Sequence, residues 1–139
     1  MYKQNNYLKK RSRAFKVSKN LLLSLQYALN GIYYCFHSAK NFRIQLFCSI
    51  CILILAFVCN LKSYEYFIIF STIFSVLILE LLNTSIESLV DLSVGNRFSK
   101  LAKVAKDCSA GAVFLAAINS IFVAVFIFIP KIKLLIHNS

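Results

Sequence analysis

The chain has 139 residues, is 59% hydrophobic, and carries 16 Lys and Arg against 5 Asp and Glu, a formal net charge of +11. A chain this short is one domain at most, and a soluble domain of that size cannot hide so much apolar surface, so lipid is the expected solvent. A basic balance can indicate nucleic acid, but here the cations cluster beside apolar runs, which points to anionic lipid headgroups and to no nucleic acid.

Residues 1–18 read as a basic arm, with Lys3, Lys9, Lys10, Arg11, Arg13 and Lys16 and no acid. Anionic lipids attract such a segment, and ATP is drawn by the same field. A basic start before LLLSLQYALNG imitates a secretory signal, yet Gln26 and Asn30 interrupt the run and no A-x-A-like cleavage site follows. From about 19 to 39 the spacing predicts an amphipathic surface helix. Leu22, Leu25, Leu29, Ile32 and Phe36 form one stripe, with Lys19, Gln26, Asn30 and His37 on another side.

Three stretches then have the length and composition of bilayer spans, at about 42–60, 66–92 and 110–129. Lys40 and Arg43 mark the start of the first, and Tyr64 and Tyr66 suit the interface before the second. Gly95-Asn96 signals a turn, and the third span stops before Pro130-Lys131. The expected fold is an all-α integral membrane protein, three transmembrane helices preceded by an amphipathic surface helix, with residues 19–139 forming one membrane domain. Lys and Arg are dense in the arm and between spans two and three, whereas the first connection carries only Lys62. The amino terminus and second connection are therefore expected on the cytoplasmic side.

Five cysteines, Cys35, Cys48, Cys51, Cys59 and Cys108, show no disulfide framework and read as small apolar packing residues. Cys48 and Cys51 have redox or zinc spacing, but they sit in an apolar run without further ligands nearby. His37 and His137 offer no metal-ligand spacing.

The chemistry concentrates between residues 80 and 107. Four of the five acids, Glu80, Glu87, Asp91 and Asp107, lie there, the exception being Glu65. Glu80, Asn83, Thr84, Glu87 and Asp91 stand at i, i+3, i+4, i+7 and i+11, on one helical face. Glu80 follows FSTIFSVLIL, so it lies in or near hydrocarbon, where a carboxylate is read as functional by default. The competing reading is a set of satisfied polar contacts between helices. No G-x-x-x-x-G-K-[ST] or G-x-G-x-x-G cradle exists. Phosphoryl transfer needs instead positioning, a metal on the phosphates, cations and a base. Glu80, deepest in the membrane, can serve a lipid hydroxyl as base. Glu87, two turns nearer water, can hold Mg²⁺. Asn83 can orient either group, and Lys106 can neutralise phosphate charge. Asp107 either pairs with a Lys or contacts the nucleotide.

Glu80-x-x-Asn83-Thr84-x-x-Glu87-x-x-x-Asp91, then Ala105-Lys106-Asp107 and Ala110-Gly111-Ala112-Val113, closely resembles the prokaryotic diacylglycerol kinase family, which includes undecaprenol kinases. The resemblance runs from about Leu25 to Phe128. It implies a small homotrimeric kinase of the bacterial inner membrane that moves the γ-phosphoryl group of MgATP to a lipid hydroxyl, with sites between subunits. By position it implies Glu80 as catalytic base with Asn83, Glu87 as metal ligand, and Glu87, Lys106, Asp107 and Tyr27 as nucleotide-binding residues. Asp91 and Ala110 fall at substrate or structural positions. The family's usual second metal Glu is replaced by Ala39. Diacylglycerol is the expected acceptor and undecaprenol the alternative, since the AKDCSAGAV stretch looks closer to undecaprenol-type branches. A non-catalytic membrane scaffold is the alternative of another class, and Ala39 is the feature that favours it.

Overall fold

The computed structural model describes residues 21–95 and 97–137. The basic arm expected at residues 1–18 lies outside them, as does Asn96. The described chain is helical: α1 is Leu21–Ser38, α2 is Lys40–Val58, α3 is Ser63–Val94 and α4 is Lys100–His137. Residues 21–33 belong to one compact unit and residues 34–137 to another. The first unit, which includes Tyr27, is the amino-terminal part of α1.

In the second unit, α3 packs most extensively on α4 and less on α2. Three helices are long and apolar enough to cross a membrane: Lys40–Val58, Ser63–Val94 and Lys100–Lys133. Their apolar stretches are only 11%, 22% and 11% buried within the chain. Phe47, Phe57, Phe67, Phe74, Phe114 and Phe126 all stand exposed. Such a surface in water would be an unsustainable apolar patch, so lipid or further protein must cover it.

The junctions follow from local chemistry. Ala39 has extended backbone (φ −97°, ψ 112°) and separates α1 from α2. The Arg43 guanidinium turns back to the carbonyls of Phe36 and His37 at 3.1 and 3.0 Å, satisfying acceptors that the end of α1 leaves open. At the end of α2, Asn60 adopts φ 49°. The Asn60 N–H donates to the Phe57 carbonyl at 3.1 Å, and the Leu61 N–H to that of Ala56 at 3.2 Å. This is a Schellman closure with Asn in the left-handed position. It brings Leu61 onto Ala56 in a small core with Cys59, Ile69 and Phe128.

A few residues on, the Lys62 N–H donates to Glu65 Oε2 at 2.7 Å, capping α3. Lys131, from the far part of α4, pairs with the same oxygen at 2.9 Å. This end of the bundle is thus closed by a core and an ion pair. At the other end, α3 stops at Gly95, whose φ of +55° suits glycine best. Ser99 opens α4 by accepting the Ala102 N–H at 3.4 Å.

The span expected at 110–129 lies inside a longer helix, Lys100–His137, which runs through Pro130. A span is limited by the bilayer, but a helix is not. Lys100, Lys103 and Lys106 are good helix formers and extend it toward its start. Pro130 forgoes one hydrogen bond without ending the helix.

Candidate active site

Glu80 is 2% exposed, the most buried of the acids, on the face of α3 turned to its neighbours. Thr84, one turn on, donates to the Glu80 carbonyl at 3.0 Å. The same hydroxyl lies 3.3 Å from Cys35 Sγ, which buries that thiol against α3. The Glu80 carboxylate is reached from α2: Gln45 Nε2 donates to Oε2 at 3.2 Å. Gln45 Oε1 is buried and has no partner among the described residues.

Asn83 is also buried and links two helices. Its Nδ2 donates to Glu87 Oε1 at 3.2 Å. Its Oδ1 accepts from Ser109 Oγ on α4 at 2.6 Å. Ser109 lies 2.9 Å from the Lys106 carbonyl as well, so the start of α4 is tied to this amide. Asn83 is thereby held with its N–H groups toward Glu87, which is half-buried.

Farther along α3, Asp91 Oδ1 pairs with Lys106 Nζ at 2.8 Å in an exposed ion pair. Asp107 and Ala110 are exposed. The Asp107 side chain makes no hydrogen bond or ion pair among the described residues. The geometry therefore joins Asn83 to Glu87 and Lys106 to Asp91, and sets Glu80 deeper beside Gln45. Tyr27 lies in the other compact unit.

Two contributors escaped the spacing argument. Gln45 is a polar residue within FRIQLFCSIC, and polarity inside an apolar span is itself a signal. Ser109 reads in sequence as one small residue among several and turns out to anchor Asn83.

No group of three or more His, Cys, Asp and Glu converges on a metal position among the described residues. That donor set suits no all-protein cage. It does suit Mg²⁺ arriving with a nucleotide, because Mg²⁺ takes one or two carboxylates and completes its shell with phosphates and water. Glu87 would offer one such carboxylate, and the hydrogen bond from Asn83 orients it. Ala39, at the junction of α1 and α2, adds no carboxylate.

The profile of the family described as prokaryotic diacylglycerol kinase matches residues 26–128. Curated relatives agree. A diacylglycerol kinase of Synechocystis sp. is 43% identical over 122 residues, covering 88% of this chain and 70% of the relative. An undecaprenol kinase of Bacillus subtilis is 38% identical over 109 residues, 78% of this chain and 88% of the relative. A diacylglycerol kinase of Haemophilus influenzae is 31% identical over 97 residues, 70% and 81% respectively.

Proposed function

Because the chain belongs to the prokaryotic diacylglycerol kinase family and is a membrane lipid kinase, we propose that it phosphorylates diacylglycerol from MgATP, giving phosphatidic acid. The observation that carries this reading is the arrangement along one face of α3. A buried carboxylate, Glu80, lies one turn from Asn83 and two from Glu87, and side chains of neighbouring helices hold Glu80 and Asn83. Such an array matches a hydroxyl acceptor in lipid on one side and a phosphate donor at the water boundary on the other.

In this reading Glu80 takes the proton of the lipid hydroxyl as that oxygen bonds to the γ-phosphorus. The bond from the γ-phosphorus to the bridging oxygen breaks, and ADP leaves with the electron pair. Glu87 would hold Mg²⁺, which when bound neutralises charge on the phosphates. Asn83 orients Glu87, and Lys106 and Asp107 contact the nucleotide. Asp91 sets the resting position of Lys106, and Ala110 leaves room beside the site for the acceptor. The amino terminus lies on the cytoplasmic side, where ATP is found, and α1 rests on the membrane surface. Anionic headgroups hold the basic arm. A homotrimer, with sites between subunits, covers the polar faces that a single copy leaves open. Crosslinking in mild detergent that yields monomer alone would count against the trimer.

The relative that acts on undecaprenol supports a second acceptor of the same chemistry, one hydroxyl on a long apolar body. The test is transfer of radiolabel from ATP by the purified chain in mixed micelles holding both lipids in equal amount. Label in phosphatidic acid supports the proposal. Label confined to the polyprenol product assigns the undecaprenol activity instead.

A further inference from the structure

We infer that Gln45 is the positioning residue for the base, fixing the Glu80 carboxylate for proton transfer. The inference rests on the assignment of Glu80 as base and adds a residue from another helix to it.

Glu80 Oε2 accepts from Gln45 Nε2 at 3.2 Å, and no other described side chain donates to the carboxylate. Its orientation is therefore set from α2 and not from its own helix. The amide shows what dictates the geometry. Gln45 Oε1 is buried and has no hydrogen-bond partner among the described residues. An amide seeking its own satisfaction would not leave that oxygen stranded. Turning it over would set a carbonyl against the carboxylate and lose the one bond it makes, so the carboxylate decides the orientation. Gln45 is itself placed on a stable turn, its backbone carbonyl accepting from Ser49 Oγ at 2.8 Å.

A glutamine has a property here that a fixed cation would lack. Its N–H donates to the charged carboxylate. After Glu80 takes the proton on Oε1, Oε2 is still an acceptor and the same N–H continues to hold it. Both charge states of the base are supported without adding charge in the membrane. The acceptor hydroxyl is left to approach Glu80 Oε1, the oxygen that Gln45 does not engage.

The test is a cycle of Gln45→Met and Glu80→Gln, assayed in mixed micelles with saturating lipid. Met keeps the length of the side chain and removes both polar atoms. Gln45→Met is expected to lower kcat by about tenfold or more with KM for ATP unchanged. In the Glu80→Gln background it should cause no further loss, because its effect runs through the carboxylate. Gln45→His restores an N–H and should recover most of kcat. Wild-type kcat in Gln45→Met, or an equal loss in both backgrounds, overturns the inference. If Gln45→Met fails to enter the membrane, Gln45→His carries the decision, and a folded His variant without activity overturns it too. Activity surviving in Glu80→Gln alone would instead overturn the base assignment, so the two failures differ.

Discussion

Ser109 Oγ on α4 donates to Asn83 Oδ1 on α3 at 2.6 Å, and this bond decides which way the Asn83 amide faces. With its oxygen engaged, the amide nitrogen is left for Glu87. Ser109→Ala strands a buried carbonyl oxygen, an omission worth about 1–3 kcal/mol. Asn83 then loses its preferred orientation and Glu87 its fixed donor. Turnover is expected to fall by about tenfold, with weaker MgATP binding. Ser109→Thr keeps the hydroxyl and should recover most of both. Steady-state kinetics in mixed micelles distinguish the two variants.

Glu80 and Glu87 should fail differently when each becomes an amide. Glu80→Gln cannot accept a proton and should lose turnover by about 10²–10⁴-fold while MgATP binding survives. Glu87→Gln removes the carboxylate proposed for the ion, and with Ala39 offering none, binding and turnover should fall together. Raising Mg²⁺ should partly rescue Glu87→Gln and never Glu80→Gln. MgATP binding and turnover across a Mg²⁺ series check this. Loss of binding in Glu80→Gln alone would reverse the two roles.

Lys106 rests against Asp91 in an exposed pair. An exposed pair contributes little to stability, so neither partner is expected to matter for unfolding. Lys106→Met should raise KM for ATP by roughly tenfold, the scale of one charge-assisted contact. Asp91→Asn should leave KM unchanged or lower it, since it releases the cation toward the phosphates. A rise in KM in Asp91→Asn equal to that of Lys106→Met would mean that the pair itself is required.

The closed end of the bundle should govern stability and not catalysis. Glu65 holds both the Lys62 N–H and the Lys131 ammonium. Glu65→Gln keeps an oxygen for the N–H and gives up the ion pair, whereas Glu65→Ala gives up both. Thermal unfolding in detergent is expected to drop in Gln and further in Ala, with turnover per folded chain unchanged in each. Lys131→Met should match Glu65→Gln, and the two together should add little to either alone.

The face of α3 was legible because one helix carries it: Glu80, Asn83, Thr84 and Glu87 share a side whatever surrounds them. The three membrane helices were legible because a bilayer sets a minimum apolar length. Contacts between helices were not. Gln45 meets Glu80 across 35 positions, and Ser109 meets Asn83 across 26. Such pairings depend on how α2, α3 and α4 are offset along their axes, which no repeat in the sequence records. Lys106 and Asp91 were each singled out, yet their pairing likewise depended on the turn at Gly95 and Ser99. Helix ends were blurred for another reason, since nothing in hydropathy stops a helix where the lipid stops. Pro130 shows this most plainly.

The α3 helix also measures distance. Its 32 residues extend about 48 Å, well beyond the roughly 30 Å of hydrocarbon in a bilayer. The Glu65–Lys131 pair is most stable where headgroups or water reach it, and this fixes one face of the bilayer near the start of the helix. Counted from there, Glu80 is about 22 Å along the axis and Glu87 about 33 Å. On the proposed assignment the base then sits just inside the opposite leaflet and the metal ligand just outside it. Membrane thickness becomes a control on the reaction, because it decides whether the two carboxylates straddle the boundary. Reconstitution in phosphatidylcholines of increasing chain length should give a maximum in turnover, falling off in bilayers too thin to cover Glu80 or thick enough to submerge Glu87. Turnover that is flat across the series would show that the helix tilts to compensate.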